Sequence, residues 1–212
     1  MFKNIKNKIA VILIGAIVSV TFAGCAGSKP GDRLKEIKPI PISVEGVEFK
    51  VGESKVGDIV NGGLSVSPDL NFKSGIDGLK LDKMTYYLGY INKDGYNLGN
   101  INFVNNTKES KEYKDCLISE YKMKFTNLTS ESKKYRFDNI LVDGINFKGM
   151  SIDDVKKVMA EKTSEVSDIK EPDGSIAILN YTVNKVSVNI SFDHTTKTVS
   201  EIDVQVYNTF FE

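Results

Sequence analysis

The sequence predicts an α+β protein made of two tandem repeats, each a hairpin, a short helix and a three-stranded antiparallel meander. Two observations support this prediction. Three short blocks recur in the same order along the chain, and apolar and polar residues alternate in the segments that close each copy. Such alternation is typical of a sheet with one face against a core and one face in water. We therefore expect the helices on one face of the sheet.

The internal repeat is indicated by three pairs of matching blocks. They are VEGVEFK at 44–50 with VDGINFK at 142–148, NINF at 100–103 with NISF at 189–192, and ISE at 118–120 with VSE at 199–201. The distance between partners shortens along the chain, so the second copy has shorter loops. The alternative is chance similarity among β-rich segments of biased composition. We place repeat 1 at residues 42–128 and repeat 2 at residues 138–212.

Each copy is predicted to begin with a hairpin and a helix. Glu45-Gly46 and Asp143-Gly144 lie between β-prone residues and supply the positive φ angles that a two-residue turn requires. In copy two, Ser151 and Asp154 have the spacing of a capping box at the start of an amphipathic helix. The counterpart in copy one is shorter and begins near Ser54.

Three strands are predicted to close each copy. They span residues 80–91, 97–105 and 116–126 in copy one, and 175–183, 185–192 and 198–207 in copy two. Alternation sends Ile101, Phe103 and Tyr121 to the core. The opposite, polar face would carry Asn100, Asn102, Glu120, Lys122, Lys124, Asn189, Ser191, Glu201, Asp203 and Gln205. The two copies would either share one continuous sheet or pack side by side.

Four tyrosines cluster on one predicted hairpin of copy one. Alternation sends Tyr86 and Tyr90 to one face, which we interpret as core, and Tyr87 to the other. Tyr87 and Tyr96 would then be the more exposed, and exposed tyrosine suits contacts with a partner or a glycan. The candidate partner-binding residues are Tyr87, Tyr96, Asn100, Asn102, Glu201 and Asp203.

The N-terminal residues have the pattern of an exported chain. Lys3, Lys6 and Lys8 form a positive segment, and residues 9–23 are almost wholly apolar but short of the roughly 20 residues that span a bilayer. The stretch ends in Phe22-Ala23-Gly24-Cys25. This ending resembles the lipobox of bacterial lipoproteins, although that family usually has Leu in place of Phe22. The resemblance implies that residues 1–24 are a signal peptide and that Cys25 is lipidated.

Lipidation would hold the protein at the extracytoplasmic face of a cell membrane, because two acyl chains make a stable anchor. Residues 25–41 would then be the lipidated cysteine and a flexible tether, in which proline is frequent and no apolar period is present. Two alternatives remain, an ordinary secretory signal peptide and an uncleaved anchor, with Cys25 incidental in both.

The tandem helix-and-sheet build resembles, at the level of the fold alone, the secreted β-lactamase inhibitor protein and small lipoproteins of the outer-membrane barrel-assembly machinery. Many Gram-positive lipoproteins of unknown role share this build. The resemblance implies a protein-binding sheet face. We therefore predict a non-catalytic lipoprotein that docks a protein partner or a cell-envelope component. The alternative is a small-ligand-binding or enzymatic lipoprotein with a site between the two repeats.

Composition and motifs exclude several classes of function. With 28 basic and 28 acidic residues, the chain lacks the basic excess of a general nucleic-acid binder. One histidine and two cysteines cannot build a zinc site by themselves. Nucleophile-elbow, Walker and zinc-protease motifs are absent from the sequence. We therefore expect no catalytic residue, no metal and no cofactor.

Cys116 loses its only cysteine partner if Cys25 is lipidated. We expect it to be a buried or half-buried small hydrophobic residue. A thiol nucleophile would need His194, which lies in a predicted turn and which nothing in the sequence places near Cys116. An intermolecular disulfide is the remaining alternative.

Cys25→Ala tests the lipoprotein prediction. Without the thiol that accepts the diacylglyceryl group, the chain should accumulate as an unlipidated precursor in the membrane fraction. Metabolic labelling with a radioactive fatty acid and gel mobility of the precursor measure this. Normal maturation of the Cys25→Ala chain would show that an ordinary signal peptidase cleaves it.

Overall fold

The computed structural model describes residues 38–125, 137–183 and 186–206. The predicted signal peptide, Cys25 and most of the tether lie outside these residues, as do the ends of the segments assigned to the two repeats. Within the described ranges the chain is mostly antiparallel sheet with two short helices, which confirms the α+β class. Neither of these helices has the length and apolar character needed to cross a bilayer.

The elements follow the predicted order with additions. Among the described residues the strands are β1 (Pro41–Val44), β2 (Val47–Lys50), β3 (Ser65–Ser67), β4 (Lys80–Leu81), β5 (Thr85–Lys93), β6 (Tyr96–Asn105), β7 (Lys111–Glu112), β8 (Leu117–Lys124), β9 (Ile140–Val142), β10 (Val166–Lys170), β11 (Ile176–Val183), β12 (Val186–Phe192) and β13 (Val199–Gln205). The helices are α1 (Val56–Asn61), α2 (Ile152–Ala160) and a 3₁₀ turn (Tyr113–Asp115).

Eight strands form one continuous antiparallel sheet. Their order is β10-β11-β12-β13-β8-β6-β5-β3. The sequence left open whether the meanders β5-β6-β8 and β11-β12-β13 share a sheet, and the pairing of β13 with β8 shows that they do. We call this pairing the seam; Lys122 lies opposite Asp203 at its centre. A second sheet has the order β2-β1-β9, and β4 pairs with β7.

One contiguous core lies between the main sheet and a layer made of the helices and the second sheet. The residues predicted to face inward, including Ile101, Phe103 and Tyr121, are fully buried. The Phe49 ring of β2 meets the Tyr121 ring of β8 edge-on, with centroids 5.5 Å apart. Each such apolar side chain stabilises the fold by about 1.5–3 kcal/mol when fully buried. No second layer of described residues packs on the opposite face of the main sheet.

The helix start predicted for the second half is confirmed. The Ser151 hydroxyl accepts a hydrogen bond from the Asp154 backbone N–H, and an Asp154 carboxylate oxygen accepts one from the Ser151 N–H, each at 3.2 Å. This reciprocal pair satisfies two donors that a helix start leaves open. In the first half, Asp58 accepts from the Lys55 N–H at 2.8 Å. In both helices, therefore, an aspartate takes the position at which a capping box usually has glutamate.

Several elements differ from the sequence-based expectation. The predicted strand 80–91 is divided, because β4 leaves the main sheet to pair with β7 while β5 begins only at Thr85. Strands β3 and β10 were not predicted, since one has three residues and the other is exposed along its whole length. The second hairpin is reduced to a single bridge between Val142 and Ile145.

Gly99 is predicted to be required for the packing of Tyr121. Its φ is +126°, and an added Cβ would lie 2.6 Å from a Tyr121 ring carbon. Gly99→Ala should therefore lower the free energy of unfolding by about 2–4 kcal/mol, through backbone strain and overpacking. Urea denaturation of the variant and of the wild-type protein measures this loss of unfolding free energy.

Gly95→Ala is the matched control. Gly95 also has a positive φ, +78°, but an added Cβ would meet no atom within 4 Å. This variant should lose only about 1 kcal/mol, which is the cost of the backbone conformation alone. Equal losses in the two variants would show that contact with Tyr121 is not what requires Gly99.

Candidate binding face

One face of the main sheet carries polar side chains along its four central strands. The strand registers bring the ten residues predicted for it onto one surface. We call this surface the polar face; its residues are Asn100, Asn102, Glu120, Lys122, Lys124, Asn189, Ser191, Glu201, Asp203 and Gln205. Four of the predicted partner-binding residues lie here: Asn100, Asn102, Glu201 and Asp203.

A charged cluster crosses the seam at the centre of the polar face. Lys122 Nζ lies 2.8 Å from Glu201 Oε1 and 3.8 Å from Asp203 Oδ2. Lys124 Nζ lies 3.3 Å from the other Glu201 oxygen. Glu201 therefore binds both lysines, while Asp203 has one cation at the limit of ion-pair distance. The side chains of Glu201 and Asp203 are only 21% and 16% exposed, so solvent screens this cluster less than it would a surface pair.

Asp203 and Glu120 form a carboxyl pair on the other side of Lys122. The pKa of Asp203 is raised to about 7, mainly by burial; the charges of Glu120 and Glu201 contribute to the rise, and Lys122 opposes it. A hydrogen bond with Glu120 contributes in the same direction. Glu120 in turn accepts a hydrogen bond from the Asn102 amide. Near neutral pH Asp203 thus exchanges between a carboxylate and a protonated donor.

Lys122 remains charged in this setting. Burial lowers the pKa of Lys122, but its hydrogen bond to Glu201 and the charges of Glu201, Asp203 and Glu120 raise it more, so that the net shift is upward. The seam is therefore crossed by a permanent cation next to an acid that titrates near neutrality.

A depression of about 460 Å³ opens on the polar face beside the cluster. Its lining consists of Lys122, Ile178, Asn180, Ser187, Asn189, Ser191, Glu201, Asp203 and Gln205. Asp203 Oδ1 is buried and has no hydrogen-bond partner among the described residues. Asn100 Oδ1 is also buried without a hydrogen-bond partner among the described residues, but it lies two strands away on β6 and outside the lining of the depression. The lining is thus rich in amides and hydroxyls, with one unsatisfied carboxyl oxygen.

The tyrosine prediction is wrong about which face is buried. Tyr87 pairs with Phe103 on the inner side of the strand, where its ring lies 5.1 Å from that of Tyr113, and 37% of its surface remains exposed. Tyr86, two residues before Leu88 on the same strand face, is 69% exposed. Alternation places Tyr86 and Tyr90 on a common face but does not say which face the sheet buries. The register of β5 against β6 decides it.

Tyr96 also lies away from the polar face. It is half-buried and packs against the hydrophobic core. The structure therefore does not bring Tyr87 and Tyr96 together with the four polar candidates. In their place Tyr86 and Leu88, exposed by 69% and 41%, border the polar face on its β5 side.

The opposite border of the polar face is also apolar. Ile169 of β10 is 51% exposed and pairs with Ile178 of β11, which lines the depression. Sequence reasoning missed this border because β10 was not recognised as a strand. The available signal was the short β-prone run Val166–Lys170, which has little apolar alternation to mark it. The polar face is therefore flanked by apolar side chains on both sides.

Cys116 lies immediately before β8 and is fully buried, in agreement with the prediction of a buried or half-buried residue. Burial raises the pKa of its thiol to about 11, and Sγ donates a hydrogen bond to the Glu112 carbonyl at 3.4 Å. A thiol in this state is unreactive at neutral pH. In the described ranges, no three histidine, cysteine or acidic residues are grouped so that they could hold a metal ion.

Comparison with known proteins identifies no relative. No family model matches the chain, and no curated protein and no solved structure matches it either. Inference about function therefore depends on the polar face itself.

Asp203→Asn is expected to stabilise the protein above neutral pH. Because the folded state raises the pKa of Asp203 to about 7, the folded protein holds a proton that the unfolded chain releases near pH 4. Wild-type stability should therefore fall as pH rises between these values, and Asp203→Asn should lack this fall. At pH values above 8 the variant should be more stable by about 1–3 kcal/mol.

Denaturant unfolding over a pH series measures this difference. Asp153→Asn, a change in the exposed first turn of α2, is the control and should keep the wild-type pH profile. If Asp203→Asn is less stable than wild type at high pH, the charged carboxylate is a net stabiliser and the assignment of the raised pKa is wrong.

Proposed function

We propose that this protein is a non-catalytic lipoprotein, held at the extracytoplasmic face of a membrane through Cys25, that docks a protein partner or a cell-envelope component on its polar face. The observation that carries this proposal is the border of exposed apolar side chains around a polar centre. Tyr86, Leu88 and Ile169 are all more than one-third exposed. A protein-binding surface combines aromatic or aliphatic anchors with polar groups in this way.

The N-terminal sequence supports the membrane part of the proposal. The lipobox-like ending at Cys25 precedes a proline-containing tether, and the first strand among the described residues begins at Pro41. An anchor and tether of this kind leave a sheet face free to meet a partner above the lipid surface.

We further propose that the two halves are tandem copies related by an approximate two-fold axis through the seam. Lys122 and Asp203, which face each other, occupy equivalent positions when ISE at 118–120 is aligned with VSE at 199–201. The pairing in the second sheet, β2-β1-β9, supports the same two-fold relation. Val44 pairs with Ile140 and Ile42 with Val142, and the aligned counterpart of Val44 is Val142.

Equivalent backbone hydrogen bonds support the axis as well. The Phe125 N–H donates to the Ser200 carbonyl at 2.7 Å, and the aligned counterparts Val206 and Ser119 make the same bond at 3.0 Å. Bulges also occur at matching points, between Asn102 and Phe103 and between Ser191 and Phe192. Chance similarity of β-rich segments offers no reason for such correspondence.

A duplicated build indicates where specificity lies. Residues shared by both copies serve the common fold, whereas positions that differ on the polar face are free to recognise a partner. By strand pairing, Asn180 occupies the place of Tyr90, and Gln205 that of Lys124. Asn180 has a smaller side chain than Tyr90, and it lines the depression.

The depression favours a second candidate function, a small-ligand-binding lipoprotein with its site at the junction of the two copies. It lies beside the seam, and Lys122 of the first half lines it together with residues of the second half. This alternative predicts a ligand that raises the melting temperature in the absence of any protein partner.

Site-specific crosslinking tests the docking proposal. A photoreactive amino acid at Tyr86, on the border of the polar face, should give one dominant crosslinked product in intact membranes. The same group at Lys156, exposed on α2 in the opposite layer, is the control and should give none. Similar products at both positions, or none at either, would contradict docking through this face.

The double variant Tyr86→Ala/Leu88→Ala should weaken the captured interaction at least about 10-fold, as expected for loss of interface anchors. Its free energy of unfolding should change by no more than about 0.5 kcal/mol, because exposed side chains contribute little to folding. Val60→Ala, which truncates an exposed apolar side chain on α1, is the matched control and should leave binding unchanged.

A further inference from the structure

The polar face has an unbalanced set of charges. When Asp203 is ionised, three carboxylates face two lysines: Glu120, Glu201 and Asp203 against Lys122 and Lys124. Both lysines bind Glu201 most closely. The carboxyl pair of Glu120 and Asp203 is left with Lys122 at 3.8 Å from Asp203. An additional cation would therefore be attracted to the Asp203 side of the cluster.

Two buried oxygen atoms of the polar face lack a hydrogen-bond donor within the described ranges. Asp203 Oδ1 and Asn100 Oδ1 are buried acceptors with no hydrogen-bond partner among the described residues. A buried acceptor that lacks a donor costs free energy, and a ligand that supplies the donor recovers it. Of the two residues, only Asp203 lines the depression, so the depression favours a group with an N–H or O–H donor, and the charge imbalance favours one that is positive.

The depression has the form of a site for a long basic side chain. Asp203 of β13 and the apolar Ile178 of β11 both line it, and Asn180, Asn189 and Gln205 add amide groups. Arginine has an apolar stem and a planar head with five donors, which suits this mixture better than the compact lysine ammonium.

We infer that the docked partner is a protein that inserts an arginine side chain into this depression, with its guanidinium against Asp203. This inference rests on the proposed docking function and specifies the chemistry of the partner. The stem of the arginine packs on Ile178, and the rest of the interface covers the apolar borders of the polar face.

Binding of the guanidinium is coupled to the release of a proton from Asp203. The titratable groups that face Asp203 are Glu120, Lys122 and Lys124 from β8 and Glu201 from β13 itself; the paired positions of β12 carry Asn189 and Ser191. A bound cation lowers the pKa of Asp203, so Asp203 releases its proton when the arginine enters. Affinity should therefore rise between about pH 6 and about pH 8.

Two small probes that differ in charge test the inference. Nα-acetyl-arginine methylamide and its neutral isostere, Nα-acetyl-citrulline methylamide, are titrated into the isotope-labelled full chain lacking only the signal peptide. Backbone amide shifts are followed by NMR. The arginine probe should bind weakly and shift amides of β8, β12 and β13, and the citrulline probe should bind at least about 10-fold more weakly.

Variants locate the site. Asp203→Asn should weaken the arginine probe about 10-fold and abolish its pH dependence, whereas Asp153→Asn should change neither. A thermal unfolding scan establishes that both variants are folded before they are titrated. Equal binding of the two probes would assign the depression to a neutral polar ligand such as a glycan and overturn the inference. Absence of shifts at about 50 mM probe would overturn it too.

The outcome separates this inference from the proposed function. A crosslinked partner at Tyr86 together with no arginine binding would overturn the arginine site and leave docking in place. Arginine binding without any crosslinked partner would leave the site in place and contradict docking through the polar face.

Discussion

The pairing of β8 with β13 is the interaction on which the rest of the structure depends. It joins two meanders, each of which would otherwise end in an exposed strand edge, into one eight-stranded sheet. The seam also aligns Tyr121, Met123, Ile202 and Val204 on the inner side, where they are buried. Residues from both halves of this sheet contribute to one hydrophobic core.

The same pairing creates the chemistry of the outer side. Because Lys122 lies opposite Asp203, the seam brings charges of both halves within ion-pair distance. Half-burial strengthens their interaction but also penalises the charged form of Asp203. The sheet thus carries at its centre an acid that the fold stabilises incompletely. Groups with strongly shifted pKa values are frequent at functional sites, which is why the face is of functional interest.

Much of the secondary structure could be predicted from local sequence patterns. The meander strands, the α2 capping box and the two sides of β6, β8, β12 and β13 follow from turn residues and from the two-residue period of strands. Polar candidates such as Asn102 and Glu201 were found in this way. The two tyrosine candidates were misplaced, because periodicity shows that Tyr86 and Tyr90 share a side but not which side is buried.

The sequence by itself determined the α+β class, most strands of the meanders and the membership of the polar face. Each of these features depends on residues that are close together in the sequence, and local patterns therefore predict it. Only the tertiary structure decided that the halves share one sheet, that Tyr86 and Ile169 border the polar face, and that Asp203 faces Lys122. These features depend on which distant strands pair and in what register, and a strand's own sequence restricts that choice without fixing it.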